Sequence, residues 1–370
     1  MIFFKELIEK VNKAHAMELP FVIYRKPGSK TISCWIQKDS KVQYMDNYKE
    51  GGFVMAPFLH AQKPVLFSDE NAEIYTCLDE SGITKEREIS NSEFGFKGLE
   101  QDKIRHLHLI DEGIKAIKEN QFLKVVLTRE EVNELDEFDL VPIYKKLLLK
   151  YPGAFAYVWY HPKIGLWIGA SPETLIIAKG DKFRTMALAG TKSFSKKNEI
   201  VWGEKEIQEQ QIVTDHIAKE LAGVKIEVGQ PYNKNAGNLV HICTDIKGKL
   251  TEGQDLNTLI NALHPTAAVC GLPKNKAVEF ISAHEDYDRG FYTGFLGEIN
   301  YVDAGEGRDD TDELPETNLF VNLRCMQISS DPKPRATLYI GGGITKGSVP
   351  ESEWEETVAK SKVMKAVLYS

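Results

Sequence analysis

The sequence predicts an α+β fold in one large domain, and three observations carry that expectation. Strand-like and helix-like segments alternate along the chain. Two adjacent strand segments, Ala154 to Tyr160 and Ile164 to Ala170, are separated only by His161-Pro162-Lys163, the short link of an antiparallel hairpin rather than of a doubly wound sheet. No proline-, glycine- or serine-rich linker divides the chain, so residues 1–370 read as a single domain.

Taken in order, residues 1–100 contain strand-like pieces such as Phe21 to Arg25 and Thr31 to Gln37, but no motif. Ile104, Leu107, Ile110, Ile114 and Ile117 recur at helical spacing and predict an amphipathic helix over 101–119. Leu140, Ile143, Tyr144, Leu147 and Leu148 do the same for 139–150. Between them, Phe122 to Arg129 is rich in β-branched residues and predicts a strand. Further strands are expected at Phe291 to Val302, Leu319 to Ser329 and Ala336 to Ile340. The acidic, glycine-containing stretch from Asp303 to Asn318 is expected to be a mobile loop.

With 42% hydrophobic and 27% charged residues, the composition is that of a globular protein with ample core. The formal charge of -8 argues against a general nucleic-acid or anionic-membrane surface. An anionic ligand would therefore need a metal ion or a few placed cations. Five scattered cysteines without a Cys-x-x-Cys pair form neither a disulfide framework nor a zinc site, which fits a reducing cytoplasm. The N-terminal apolar run is too short for a signal peptide, and no stretch approaches the roughly 20 apolar residues that span a bilayer.

Two helices carry paired carboxylates. Glu206 and Glu209 lie three apart in a helix continuing through Leu221, and Glu353, Glu356 and Lys360 lie at i, i+3 and i+7 near the C-terminus. Such spacings place side chains on one face. Hard oxygen ligands on a rigid helix suit Mg²⁺, which takes one or two protein carboxylates and completes its octahedron with water and substrate. Either helix alone reads better as a solvated face. Gly341-Gly342-Gly343 lacks the signature of a P-loop or dinucleotide site, leaving a backbone cradle for an anion or a tight turn. Lys124 interrupts an apolar strand and shares a face with Phe122, Val126 and Thr128. It is a general base if that face lines a cleft and an edge-guarding lysine otherwise. Glu173 follows a strand end, where it could serve as a general acid or start a helix behind Pro172. His241 and His264 lack metal-ligand spacing and read as satisfied core or turn residues.

Together and in this order, these pieces resemble the chorismate-utilising enzymes. The matching blocks are Lys-Val-Val-Leu-Thr-Arg (124–129), Gly-Ala-Ser-Pro-Glu-Thr-Leu (169–175), Ala-Leu-Ala-Gly-Thr (187–191) and Glu-Lys-Glu-Ile-Gln-Glu-Gln (204–210). They continue with His241, His-Pro-Thr-Ala-Ala-Val-Cys-Gly-Leu-Pro-Lys (264–274), Gly-Phe-Tyr-Thr-Gly (290–294), Asn-Leu-Arg (322–324), Gly-Gly-Gly-Ile (341–344) and Glu-Trp-Glu-Glu-Thr-Val-Ala-Lys (353–360). The likeness covers about residues 100–368 and leaves the first hundred as a divergent part.

The resemblance implies two stacked, mainly antiparallel sheets flanked by helices. It implies that Glu209 and Glu356 ligate Mg²⁺, with Glu206 and Glu353 in support, and that the ion holds the ring carboxylate of chorismate. Arg324, Tyr292, Lys360 and the backbone of Gly341, Gly342 and Gly343 would hold the substrate's carboxylates. Gly190, Thr191, His241 and Thr266 would orient it, and Ala268 and Val269 would wall the site.

Three positions point within the family to isochorismate synthesis. Lys124 matches a water-activating lysine. Ala189 stands where aminodeoxychorismate synthases carry a nucleophilic lysine, and Ala268 where salicylate synthases have threonine. No Leu-Leu-Glu-Ser feedback motif of anthranilate synthases occurs. The expected enzyme is an isomerase in which Lys124 and Glu173 are base and acid, working as a monomer without a glutaminase subunit. Salicylate synthesis, and then anthranilate synthesis, are the alternatives. Gln210 departs from the family, whose members commonly have histidine there.

Overall fold

The computed structural model describes residues 1–80, 100–193, 200–236, 239–302, 314–330 and 332–369. The chain folds as one α+β domain of two large antiparallel sheets, with seven helices among the described residues. The first sheet has the spatial order β15 (Gly271–Leu272), β7 (Lys124–Glu134), β19 (Arg335–Ile344), β18 (Cys325–Ser329), β9 (Gly165–Ser171), β8 (Phe155–His161), β1 (Phe21–Arg25), β2 (Thr31–Gln37) and β6 (Ala72–Leu78). The second runs β12 (Lys225–Val228), β14 (Leu239–Lys249), β11 (Lys182–Ser193), β10 (Thr174–Lys179), β17 (Glu316–Val321), β16 (Phe295–Tyr301), β4 (Gly52–Ala56), β5 (Val65–Ser68) and β3 (Gln43–Tyr44), with β13 (Tyr232–Ala236) paired to β14.

Side-chain alternation decides which face of each strand meets which layer. On β8, Phe155, Tyr157 and Trp159 point between the sheets, while the smaller Ala156 and Val158 point outward under helices. The interior is accordingly aromatic, with Phe155 stacked on Phe320 at 4.3 Å and Phe67 on Trp159 at 5.1 Å. Helices α1 (Phe4–Ala16), α3 (Leu140–Lys150) and α7 (Pro350–Leu368) cover the outer face of the first sheet. Helices α4 (Glu204–Glu220) and α5 (Leu256–Leu263) cover the second, and α2 (Glu100–Lys118) and α6 (Lys274–His284) close over β7.

The anticipated helices form within a residue or two of their expected bounds, and β8 and β9 make the expected hairpin. Three expectations need correction. Leu319 to Ser329 is not one strand: it breaks at Asn322 to Arg324, where Arg324 takes a left-handed φ of 49°, and its halves join different sheets as β17 and β18. Pro172-Glu173 starts no helix but carries the chain from β9 in the first sheet to β10 in the second. Gly341 to Gly343 make no turn; they continue β19 in register with Thr128, Leu127 and Val126. Of the expected loop, residues 303–313 lie outside the described residues, and Glu316 to Asn318 already belong to β17.

Candidate active site

The two strand crossings lie side by side and make the floor of a cavity. Ala170 donates its N–H to the Arg324 carbonyl, and Val321 donates to the Glu173 carbonyl, each at 3.0 Å. These bonds fix Glu173 and Arg324, one from each crossing, next to a cavity of about 70 Å³ that both line. Gly190, Thr191 and His241 face it from β11 and β14, and Ala268 and Val269 from the segment after α5. Tyr292, Gly341 and Gly343 line it too, as do Glu209 from α4 and Glu356 and Lys360 from α7. Thirteen of the residues singled out from the sequence thus converge on one cavity. Lys124, Thr266, Gly342, Glu206 and Glu353 are not among its lining residues. Two larger clefts, of about 890 and 980 Å³, contain none of these groups.

One side of the cavity is acid-bearing. Glu173 is 3% exposed, and burial pushes its carboxyl up to about 7 even though Lys234, Lys124 and Arg324 favour the charged form. The buried Thr266 hydroxyl approaches this carboxyl and has no aligned hydrogen-bond partner. His241 sits nearby with Nδ1 2.9 Å from the Gly190 carbonyl and Nε2 3.4 Å from Arg324 Nη2. A carbonyl cannot donate, so Nδ1 carries the proton and Nε2 accepts from the guanidinium. Burial, together with Arg324 and Lys360, lowers the imidazole to about 3, which keeps this tautomer neutral.

The other side is a set of lysine–carboxylate pairs. Lys124, fully buried on β7, brings Nζ to 2.9 Å from Glu209 Oε1 without hydrogen-bond alignment. Lys360 Nζ lies 2.6 Å from Glu356 Oε1 and donates to the Gly341 carbonyl at 2.8 Å. Lys205 pairs with Glu353, and Lys192 lies 3.8 Å from Glu206. Burial pushes the Glu209 carboxyl up, but Lys124, Lys360 and Lys205 outweigh it and hold the group below the usual carboxylate range. Glu353 moves the other way, raised by burial against the pull of Lys205.

The glycine run is needed for space. A Cβ on Gly343 would stand 2.4 Å from Glu209 Oε1 and 3.2 Å from Lys124 Cε, so the pair packs against bare backbone. Gly342 faces the opposite way, toward Thr357 of α7. Glu206 is occupied locally: its Oε2 accepts the Gly203 N–H at 2.8 Å and caps its own helix. Gln210 is buried and donates from Nε2 to the hydroxyls of Thr214 and Thr244, both at 2.8 Å, so it ties α4 to β14.

Lys205 and Lys234 also approach the site, and neither carries a local sequence signal of it. Lys205 sits at i and i+4 with Glu209, which reads as a surface pair, yet its ammonium crosses to α7. Lys234 is placed opposite His241 only by the pairing of β13 with β14, which no local signal announces.

Could these residues hold a magnesium ion? Among the described residues no three carboxylate, histidine or cysteine groups form a ready-made cage. Glu209 and Glu356 do share one cavity, and two carboxylates are the number Mg²⁺ takes from a protein. Each has a lysine partner, and a carboxylate offers about four lone-pair sites, so one ammonium does not saturate it. The donor set fits the ion.

A family model for chorismate binding enzymes matches residues 68–369, and the chain belongs to this family. Isochorismate synthase MenF of Bacillus subtilis is 31% identical over 281 residues, covering 73% of this chain and 56% of that protein. The salicylate biosynthesis isochorismate synthase of Pseudomonas aeruginosa is 28% identical over 270 residues, 70% of this chain and 53% of that one. The chain thus spans a little over half the length of these curated relatives. Among solved structures, the menaquinone-specific isochorismate synthase MenF of Escherichia coli aligns with a TM-score of 0.72 at 20% identity, over 94% of this chain and 88% of that one. This is a likeness of fold.

No helix among the described residues is long and apolar enough to cross a membrane.

Proposed function

We propose that this protein is an isochorismate synthase, converting chorismate reversibly to isochorismate with Mg²⁺ as cofactor. The observation that carries the reading is a cavity lined by a raised glutamic acid and two carboxylates fit for a metal, one of them in contact with a buried lysine. Ala189 and Ala268 on its wall supply no nucleophile and no hydroxyl of their own.

In the proposed reaction, Lys124 takes a proton from water, whose oxygen attacks ring carbon C2. The ring double bonds shift, and the bond from C4 to its hydroxyl breaks as Glu173 delivers a proton to the departing oxygen. One water enters and one leaves, so the reaction is an isomerisation. A carboxyl titrating near 7 retains its proton in a large share of molecules at neutral pH, as a general acid must. Arg324 and Lys360 hold carboxylates of the substrate, and neutral His241 holds Arg324 in place. Glu209 and Glu356, with Glu353 and Glu206 behind them, would hold Mg²⁺, which would supply positive charge for the ring carboxylate.

The cavity is smaller than the several hundred Å³ of a typical ligand pocket, so admitting the ring requires the lysine–carboxylate pairs to part. We further assign residues 1–370 to one catalytic domain that works as a cytoplasmic monomer without a glutaminase subunit. Its product would supply menaquinone, siderophore or salicylate synthesis.

Product identification tests the reading. Purified protein given chorismate and Mg²⁺ is expected to accumulate isochorismate, with no requirement for ammonia. Salicylate with equimolar pyruvate would make it a salicylate synthase, and an ammonia-dependent aminated product would place it with the anthranilate enzymes.

A further inference from the structure

Each of the four glutamates in the proposed metal site has a lysine partner, and the four lysines are not held alike. Lys124 is 1% exposed at its side chain and enclosed in β7. Lys360 is 11% exposed and fastened to the Gly341 carbonyl. Lys192 stands off at 3.8 Å from Glu206 and donates instead to the Val201 carbonyl at 2.6 Å. Lys205 differs from all three. Its side chain is 35% open to solvent, much as that of Lys192 is at 38%, but Lys205 alone joins that exposure to direct contact with a carboxylate, Glu353, whose side chain is 2% exposed. Its contact is with Glu353 on α7, and its charge also reaches Glu356 and Glu209 at longer range, so one ammonium acts on carboxylates of both metal-bearing helices.

A cation among three carboxylates does electrostatically what a divalent ion would do there. An ammonium on a long flexible stem can also withdraw into water, which a buried lysine cannot. We propose that Lys205 is a built-in competitor of the divalent cation. It neutralises Glu353, Glu356 and Glu209 from the solvent side, and it must swing outward for the ion to settle, so it sets the metal affinity of the site. Lys205 is in this sense a positioning residue, acting through the carboxylates and not on the substrate. The proposal rests on the magnesium site assigned above.

Calorimetric titration of the full chain with MgCl₂, in the absence of chorismate, tests it. Removing the competing charge in Lys205→Met should tighten Mg²⁺ binding about tenfold, and Lys205→Arg, which keeps the charge, should retain wild-type affinity. Thermal melting supplies a second readout. Without Mg²⁺, Lys205→Met should melt below wild type, because the buried Glu353 carboxylate loses its partner, and saturating Mg²⁺ should close that gap. If wild type binds Mg²⁺ and Lys205→Met binds it equally or more weakly, the competitor role is wrong while the metal site stands. If wild type binds no Mg²⁺ at millimolar concentration, the metal site itself fails and the competitor role falls with it.

Discussion

Glu173 and Glu209 line one cavity, and both lie near lysines, yet the structure drives them in opposite directions. Glu173 hangs from a strand crossing between the two sheets, where burial outweighs every nearby cation and its carboxyl rises to about 7. Glu209 projects from α4 against bare glycine backbone, with Lys124 at 2.9 Å, and is held below the ordinary carboxylate range. The distance of the nearest ammonium separates them. A cation in contact stabilises the anion more than desolvation costs it, whereas cations acting from farther off do not. The same side chain is thus held toward its protonated form on one wall and toward its anionic form on the other.

The largest test of this division removes the groups themselves. Lys124→Ala is expected to lower kcat by about 10²- to 10⁴-fold, the usual worth of a positioned general base, with a smaller change in KM. Unchanged turnover would show that another group activates water. Glu173→Gln should cost about 10²-fold and also change the shape of the pH profile. With Glu173 as the proposed acid, wild-type activity should fall as pH rises through about 7, whereas the variant should lack that limb.

The same group tilts stability. Its folded value of about 7 lies above the ordinary 4.5, so the folded chain holds a proton that the unfolded chain releases in between. Its contribution is full below 4.5 and is lost as pH rises to about 7. Melting temperatures of Glu173→Gln should therefore vary less across that window than those of wild type.

The carboxylate wall is sharpened by Gly343→Ala. The added methyl meets Glu209 Oε1 at 2.4 Å, so the carboxylate must turn away, and Mg²⁺ affinity measured by calorimetry should drop about 10- to 100-fold. Smallest is Gln210→Leu, which removes donors from Thr214 and Thr244. It should cost about 1–2 kcal/mol in denaturant unfolding and leave Mg²⁺ affinity within about twofold.

Much of this arrangement was legible in the sequence. Glu206, Glu209, Glu353 and Glu356 showed their helical spacing, and ten ordered blocks pointed to the family before any distance was known. The strand crossings were not legible. Apolar alternation runs on through Asn322-Leu323-Arg324, so nothing local marks the left-handed Arg324 or the change of sheet. Pro172-Glu173 has the composition of a helix start, and only the pairing of β10 with β17 makes it a crossing. The first hundred residues carried no motif, yet β1, β2 and β6 extend one sheet and β3, β4 and β5 the other. Their role is to complete two layers, which alternating apolar residues of many kinds can do. The charge pairs were hidden for a different reason: Lys124 and Glu209 are far apart in the chain, and which lysine meets which glutamate is a tertiary fact.

The protonation state of Glu173 is the feature on which the proposed chemistry most depends. Carboxyl-¹³C NMR of glutamate-labelled protein, with Glu173→Gln used to identify the missing signal, would follow its titration. The expected result is that the glutamate signal lost in the variant titrates near pH 7. A Glu173 signal titrating in the ordinary carboxylate range, near 4.5, would contradict it.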